Sequence, residues 1–530
     1  MRRWNGWGDD TIDFPLPGGA QLFLEQRLGK PTPLPDASFE DVMAMVPPSR
    51  LPDHPLIVKT PSDRILHARG QSLPDWLALR SGKLGSFPDG VAYPASPDEV
   101  RALVAFMKDL DGVLIPYGGG TSVVGHINPP GTDRPILTVD LRRMNRLLNL
   151  DLESHIATFG AGASGPDVES QLRAHGYTLG HYPQSFEFST LGGWIATRSS
   201  GQQSLGYGKI ERLFAGGTME TPSGPLEIQD FPASAAGPDL REIVMGSEGR
   251  LGILTNVKMR VSPLPPRESF RVFFCPHWDS GCEALRKIVQ SGIPLSMLRL
   301  SNATETETQL ALAGHEKAVR LLERWLAFRG AGVQKCMVTV GITGTRRLHR
   351  TALKEASRIF REEKAVHAGR YLGRTWKEHR FRAPYLRNSL WERGYCVDTL
   401  ETAVNWDRVS LLMAAVESAL TAALVGEREK VLVFSHLSHV YSQGSSIYTT
   451  YLFRAADTYE TTLSRWRRLK KAASESIVQH GGTITHHHGV GTDHAPYLVS
   501  EKGPLGINAI KALCQTFDPD GLMNPGKLVS

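Results

Sequence analysis

The chain has 530 residues, 41% of them hydrophobic and 22% charged, with a formal net charge of +6. At about 150 residues per domain this length allows roughly two to four domains, and the composition excludes a disordered or fibrous protein. The modest charge, with no basic run interleaved with aromatics, argues against nucleic acid and suits acidic small molecules or an anionic membrane surface. The five cysteines show neither a C-x-x-C pair nor a zinc spacing, so they read as reduced thiols in a cytoplasmic compartment. The amino terminus lacks the apolar core of a secretory signal, and Lys527-Leu528-Val529-Ser530 is not a peroxisomal tripeptide. No run of 18 or more apolar residues is present.

Residues 1–85 are rich in proline and aromatics and read as an amino-terminal extension with one short helix near Phe39–Val46. From about residue 86, strands and helices alternate. Pro97-Asp98-Glu99-Val100 opens a helix through Met107, its acids in the first turn where the helix dipole favours them. Val113–Ile115, Ile136–Val139 and Ile156–Phe159 are predicted strands, and Pro166–Ala174 a helix. Pro263-Leu264-Pro265-Pro266 is a linker. Beyond it, helices are predicted at about 279–290, 316–328, 346–363, 407–424 and 457–479. Strands are predicted at Arg271–Phe274, Met337–Ile342, Val431–Ser435 and Ile447–Phe453, which reads as an antiparallel sheet with helices on one face. The last forty residues read as turn-rich.

Glycine carries most of the chemical signal. Tyr117-Gly118-Gly119-Gly120-Thr121-Ser122-Val123 follows a strand, and its amides can form a nest for a pyrophosphate. It lacks the lysine of an ATP-binding loop. Gly160-Ala161-Gly162-Ala163-Ser164-Gly165 matches a dinucleotide fingerprint, but no second strand ending in an acid follows at the required distance, which leaves an NAD site as a weaker alternative. Further clusters are Ser189-Thr190-Leu191-Gly192-Gly193, running on to Thr197 and Ser200, and Gly246-Ser247-Glu248-Gly249-Arg250-Leu251-Gly252-Ile253. Several such clusters without a phosphate-binding lysine favour a large dinucleotide held in extended form.

Thr485-His486-His487-His488-Gly489-Val490-Gly491 places three imidazoles before two glycines. Histidine is the side chain whose proton moves most easily near neutral pH. On an extended strand the three would point to alternate faces, so convergence on a metal is not expected and the segment reads as an active-site wall.

In this order, the segments GGGTS, EFSTLGGW, GSEGRLGI and HHHGVG resemble the flavin-binding superfamily of vanillyl-alcohol oxidase. With Trp4-Asn5-Gly6-Trp7-Gly8 they are most similar to its alkyldihydroxyacetonephosphate synthase branch, over nearly the whole chain. The resemblance implies an α+β fold. A two-subdomain, PCMH-type FAD-binding domain (86–265) would be followed by an α/β cap with an antiparallel sheet and flanking helices (266–485) and a carboxy-terminal segment returning to the flavin (486–530). It also implies the family reaction, in which a fatty alcohol replaces the acyl chain of acyl-dihydroxyacetone phosphate, FAD forms an adduct with the substrate, and no net redox change occurs. The implied flavin contacts are Tyr117 to Val123, Gln184, Ser185, Ser189, Thr190, Gly193, Thr197, Ser200, Glu248, Gly249, Gly252 and Ile253. The implied catalytic residues are Tyr448, His487, His488 and Arg387, with Arg387, Arg299 and His486 binding substrate. No histidine lies inside GGGTS, so FAD is expected to be non-covalent. The expected partners are a lipid phosphate and a fatty alcohol, with peripheral membrane contact and a homodimer allowed and nucleic acid excluded.

Thr492-Asp493-His494 stands where the family has a basic stretch, and the peroxisomal leader of animal members is missing. The first departure bears on how substrate charge is recognised, and the second points to a bacterial-type cytosolic relative. Taken residue by residue, Tyr448 reads equally well as a core tyrosine, Arg387 as part of a solvated basic face, and Arg299 as a surface end-cap after an apolar run. The competing function is a flavin dehydrogenase or oxidase of a 2-hydroxy acid or related alcohol.

Overall fold

A computed structural model describes residues 2–312 and 316–529. The first sheet runs in the order Ile57–Val58, Gly90–Ala92, Ile136–Asp140, Val113–Tyr117, and its last three strands are parallel. Helix Pro97–Asp109 connects two of them. Ser96 caps it by accepting from Glu99 N, and Val100, Leu103, Val104 and Met107 form its buried stripe. The second sheet is antiparallel: Leu147–Asp151, Ile156–Gly160, Ile253–Arg260, Phe214–Thr221, Gly224–Ile228.

This antiparallel pairing removes the NAD alternative. A dinucleotide fingerprint needs a parallel strand–helix–strand unit, and Ile156–Gly160 has antiparallel partners on both sides. The glycines of that segment serve packing instead. A Cβ on Gly160 or Gly162 would overlap the Met144 or Leu141 carbonyl.

The third sheet has seven antiparallel strands in the order Val366–His367, Arg267–Cys275, Cys336–Gly344, Met297–Ser301, Leu432–Leu437, Gly444–Arg454, Tyr395–Asn405. Strand alternation divides its side chains between two faces. Val338, Val340, Leu298, Leu300, Ile447, Tyr451 and Phe453 pack on helices Trp278–Gln290, Arg346–Glu362, Val409–Ala422 and Tyr459–Gln479 in one core. Thr339, Arg299, His436, Tyr448 and Thr450, of opposite parity, face a large cavity.

Three expectations are corrected. The strands Met297–Ser301 and Tyr395–Asn405 were not foreseen. The last forty residues hold a helix, Leu498–Phe517, kinked at Gly503. The amino-terminal segment contains helices Gly18–Leu28, Pro61–Leu66 and Leu73–Ser81, and Trp7, Leu73 and Trp76 belong to the same core as the seven-stranded sheet.

Candidate active site

A cavity of about 770 Å³ lies between the two amino-terminal sheets and the seven-stranded sheet, within the range of preformed ligand sites. Three of the four glycine-rich segments, all but Gly160–Gly165, form one side. Every expected flavin contact lines it except Ser200, which is buried with its Oγ hydrogen-bonded to His439 Nδ1 at 3.1 Å, while Ser199 lines the wall instead. The loops are interlocked. A Cβ on Gly118 would overlap Thr190 Oγ1, and one on Gly119 would overlap the Phe188 carbonyl, so two cofactor loops are in backbone contact. Glu248 has a separate task, its carboxylate accepting from Val490 N at 2.5 Å and Gly491 N at 2.8 Å. It thereby ties the fourth glycine loop to the triple-histidine segment.

The opposite wall is a polar row across the seven-stranded sheet. Cross-strand register pairs Arg299 with Thr339, His436 with Tyr448, and Tyr448 with Glu401. The Tyr448 ring stacks on His436 with centroids 4.9 Å apart and meets His488 edge-on at 5.8 Å. Burial pushes the Tyr448 hydroxyl up to about 12, and Glu401 and Asp398 push the same way. A hydroxyl held up in this way is an O–H donor at neutral pH. Its imidazole neighbours are His436 and His488 rather than His487. Burial also holds His488 neutral, and its Nδ1 has no hydrogen-bond partner.

Arg299 donates from Nη2 to Glu305 Oε1 at 2.7 Å and lies 3.2 Å from His436 Nδ1, while its buried Nε has no partner. Burial alone would raise the Glu305 carboxyl, but His436 and Arg299 outweigh it and hold Glu305 far below the usual range. Arg387 is not on a solvated face. Its guanidinium lies over the Trp76 ring at 4.4 Å, Nη1 donates to the Gln71 carbonyl at 2.7 Å, and the buried Nη2 has no protein partner. The motif Trp4-Asn5-Gly6-Trp7-Gly8 sets this position. Asn388 bonds Trp7 N and O, each at 3.0 Å, and Gly8, at φ 83°, leaves no room for a Cβ against Tyr385.

His486 does not line the cavity. Its Nε2 is hydrogen-bonded to Tyr441 Oη at 2.6 Å, and its Nδ1 turns towards Glu401 and His487. His487 lies at the wall with Nδ1 against the Glu401 carboxylate. The segment bends here instead of running as a strand, so the alternation expected of three consecutive histidines does not hold. The sequence reading missed Glu401, His436, Glu305 and Asp398. Their one sequence signal is a charged or imidazole side chain inside an otherwise apolar strand or helix pattern.

A third region of the cavity is apolar. Leu16, Ala20 and Leu24 from the amino-terminal segment face Leu390, Phe434 and Leu452.

Residues 88–228 match the family model described as an FAD binding domain, and residues 264–528 match that of the FAD linked oxidases, C-terminal domain. Alkyldihydroxyacetonephosphate synthase of Dictyostelium discoideum is 31% identical, with 99% of this chain and 93% of that protein covered. The chain belongs to the alkyldihydroxyacetonephosphate synthase family. The Trypanosoma brucei brucei synthase is 29% identical over 99% of this chain and 92% of its own length. A solved alkyldihydroxyacetonephosphate synthase superposes with a TM-score of 0.86 at 28% identity, covering 99% of this chain and 98% of its own. As in that family, the fold is α+β, with an FAD-binding domain followed by a cap. The residues fit the cofactor: three glycine-rich segments, with the hydroxyl residues Thr121, Ser122 and Thr190, face one cavity large enough for an extended dinucleotide.

Proposed function

We propose that the enzyme exchanges the acyl chain of acyl-dihydroxyacetone phosphate for a fatty alcohol, forming the ether bond of an ether-lipid precursor on non-covalent FAD. The observation that carries this reading is the buried, unpartnered Nη2 of Arg387, in a cavity whose walls are otherwise flavin-type loops, a polar row and an apolar arm. A buried guanidinium with an open donor calls for an anionic oxygen, and a phosphate fits its fork. The apolar arm suits an acyl or alkyl chain of the same ligand. Bound FAD supplies the electron-accepting ring at which the substrate carbon reacts, without net oxidation. Arg387 and Arg299 bind the phosphate and carbonyl oxygens, and Tyr448 donates a hydrogen bond to the departing carboxylate. His488, with its open Nδ1, takes the proton from the carbon beside the ketone.

The lipid substrate reaches the cavity from a membrane in this reading. Helix Glu316–Phe328 offers a contact surface, with Leu321 70% and Phe328 86% exposed beside Trp325, Arg324 and Arg329. The five unpaired cysteines accord with a reducing, cytoplasmic compartment.

The test is an anaerobic flavin spectrum with acyl-dihydroxyacetone phosphate and a fatty alcohol. Ether product with no lasting bleaching is expected. Bleaching by a 2-hydroxy acid, with no ether product, would replace this reading with a dehydrogenase.

A further inference from the structure

Behind the cavity wall four side chains converge from distant parts of the chain. Glu401 comes from the edge strand Tyr395–Asn405, and His439 from the turn between Leu432–Leu437 and Gly444–Arg454. His486 and His487 come from the carboxy-terminal segment. One ligand atom from each lies within 4.8 Å of the others, and all four residues are buried or half-buried. His486 Nδ1 is 3.3 Å from His487 Nδ1 and 3.6 Å from Glu401 Oε1, and Glu401 Oε2 lies against His487 Nδ1. Around a tetrahedral zinc ion with bonds of about 2.0–2.1 Å, neighbouring ligand atoms sit about 3.4 Å apart. The His486–His487 and His486–Glu401 separations match that spacing, while the closer Glu401–His487 contact is one that a shared ion would draw apart.

The surrounding hydrogen bonds orient the rings in the same sense. His439 Nδ1 is hydrogen-bonded to Ser200 Oγ at 3.1 Å and Ser204 Oγ at 3.0 Å, leaving Nε2 for the centre. Tyr441 occupies His486 Nε2 and leaves Nδ1. Ser438 donates to Glu401 Oε1 at 2.5 Å. Metal-bound histidines nearly always have their second nitrogen engaged in this way, which fixes tautomer and ring orientation. Without an ion, a fully buried carboxylate would have to be neutralised by a proton on one of the rings around it.

We propose that Glu401, His439, His486 and His487 form a closed site for a divalent metal ion of the zinc class. Three imidazoles and one carboxylate without a thiolate match zinc's nitrogen and oxygen ligands. Four protein ligands leave no open position, so the ion is structural. It holds His487 by Nδ1 and turns the Nε2–H of that ring towards the cavity. It also pins the carboxy-terminal segment to the edge of the seven-stranded sheet.

The test uses untagged, FAD-loaded, full-length protein purified without chelators, with metal measured by mass spectrometry and affinity by zinc chloride titration. Wild-type protein is expected to hold one zinc per flavin, and Glu401→Gln to hold none. Tyr441→Phe, which removes only the partner of His486, is expected to weaken zinc binding about 10- to 100-fold. Flavin content should be unchanged in both variants. Folded, flavin-loaded wild-type protein that holds no zinc and takes none up overturns the proposal, as does equal zinc affinity in wild type and Tyr441→Phe. Metal content is read independently of turnover, so this outcome leaves the proposed reaction standing.

Discussion

Tyr448 and Arg387 show how far a residue's neighbours decide its chemistry. Read along the chain, Tyr448 sits in an aromatic strand and Arg387 among other basic residues, and neither context separates a functional from a structural role. The sheet register places Tyr448 between His436 and Glu401, and burial keeps its hydroxyl protonated. Tyr448→Phe removes that donor at nearly constant volume. Turnover should fall about a hundredfold, the scale of losing one oriented hydrogen-bond donor, with the flavin spectrum unchanged; near-normal turnover would return Tyr448 to the core. Arg387 stacks on Trp76 and holds the Gln71 carbonyl with one nitrogen, leaving the other for ligand. Arg387→Lys keeps the charge but loses the fork. Its KM for the phosphate substrate should rise at least tenfold while bound FAD is retained, and an unchanged KM would place the phosphate elsewhere.

At the scale of elements, the glycine-rich loops work as interlocking pieces. The sequence suggests that Gly119 is needed for close approach to a pyrophosphate, and the structure places the Phe188 carbonyl where its Cβ would stand. Gly119→Val should therefore push two loops apart and lower both FAD occupancy and thermal stability. Full occupancy at unchanged stability would show that the loops can separate without cost. The short motif ending in Gly8 acts on the opposite wall by packing against Tyr385 and Asn388. Gly8→Ala introduces strain at φ 83° and a clash with the Tyr385 ring. It should weaken substrate binding through Arg387 more than FAD binding, and equal loss of both would point to general unfolding.

At the scale of the whole molecule, buried charge is balanced across segments far apart in sequence. Glu305 is held by Arg299 and His436, and Asp140 by His67 and Arg142. Burial raises both carboxyls, but these partners outweigh it and both end below their ordinary values of 4.5 and 3.8. Unfolding therefore favours proton uptake, and their contribution to stability is fully present above those ordinary values and lost as pH falls below them. The thermal midpoint should drop on acidification from pH 5 towards pH 3, in a range set by these values, and Glu305→Gln should show a shallower drop. Parallel curves would assign acid sensitivity to other groups.

By itself, the sequence determined the flavin-binding loops, four strands of the seven-stranded sheet and most of the helices after residue 266. Glycine runs, capping residues and apolar periodicity are local signals, and each acts within a few residues. It did not disclose that the amino-terminal segment holds Arg387 in place, that Glu248 anchors the triple-histidine segment, or that Glu401 and His439 lie beside His486 and His487. Those relations join residues from about 40 to 380 positions apart in the chain. Only the tertiary structure decided them, because burial and cross-strand register create the low-polarity surroundings in which a lone carboxylate or imidazole acquires its partners and its protonation state.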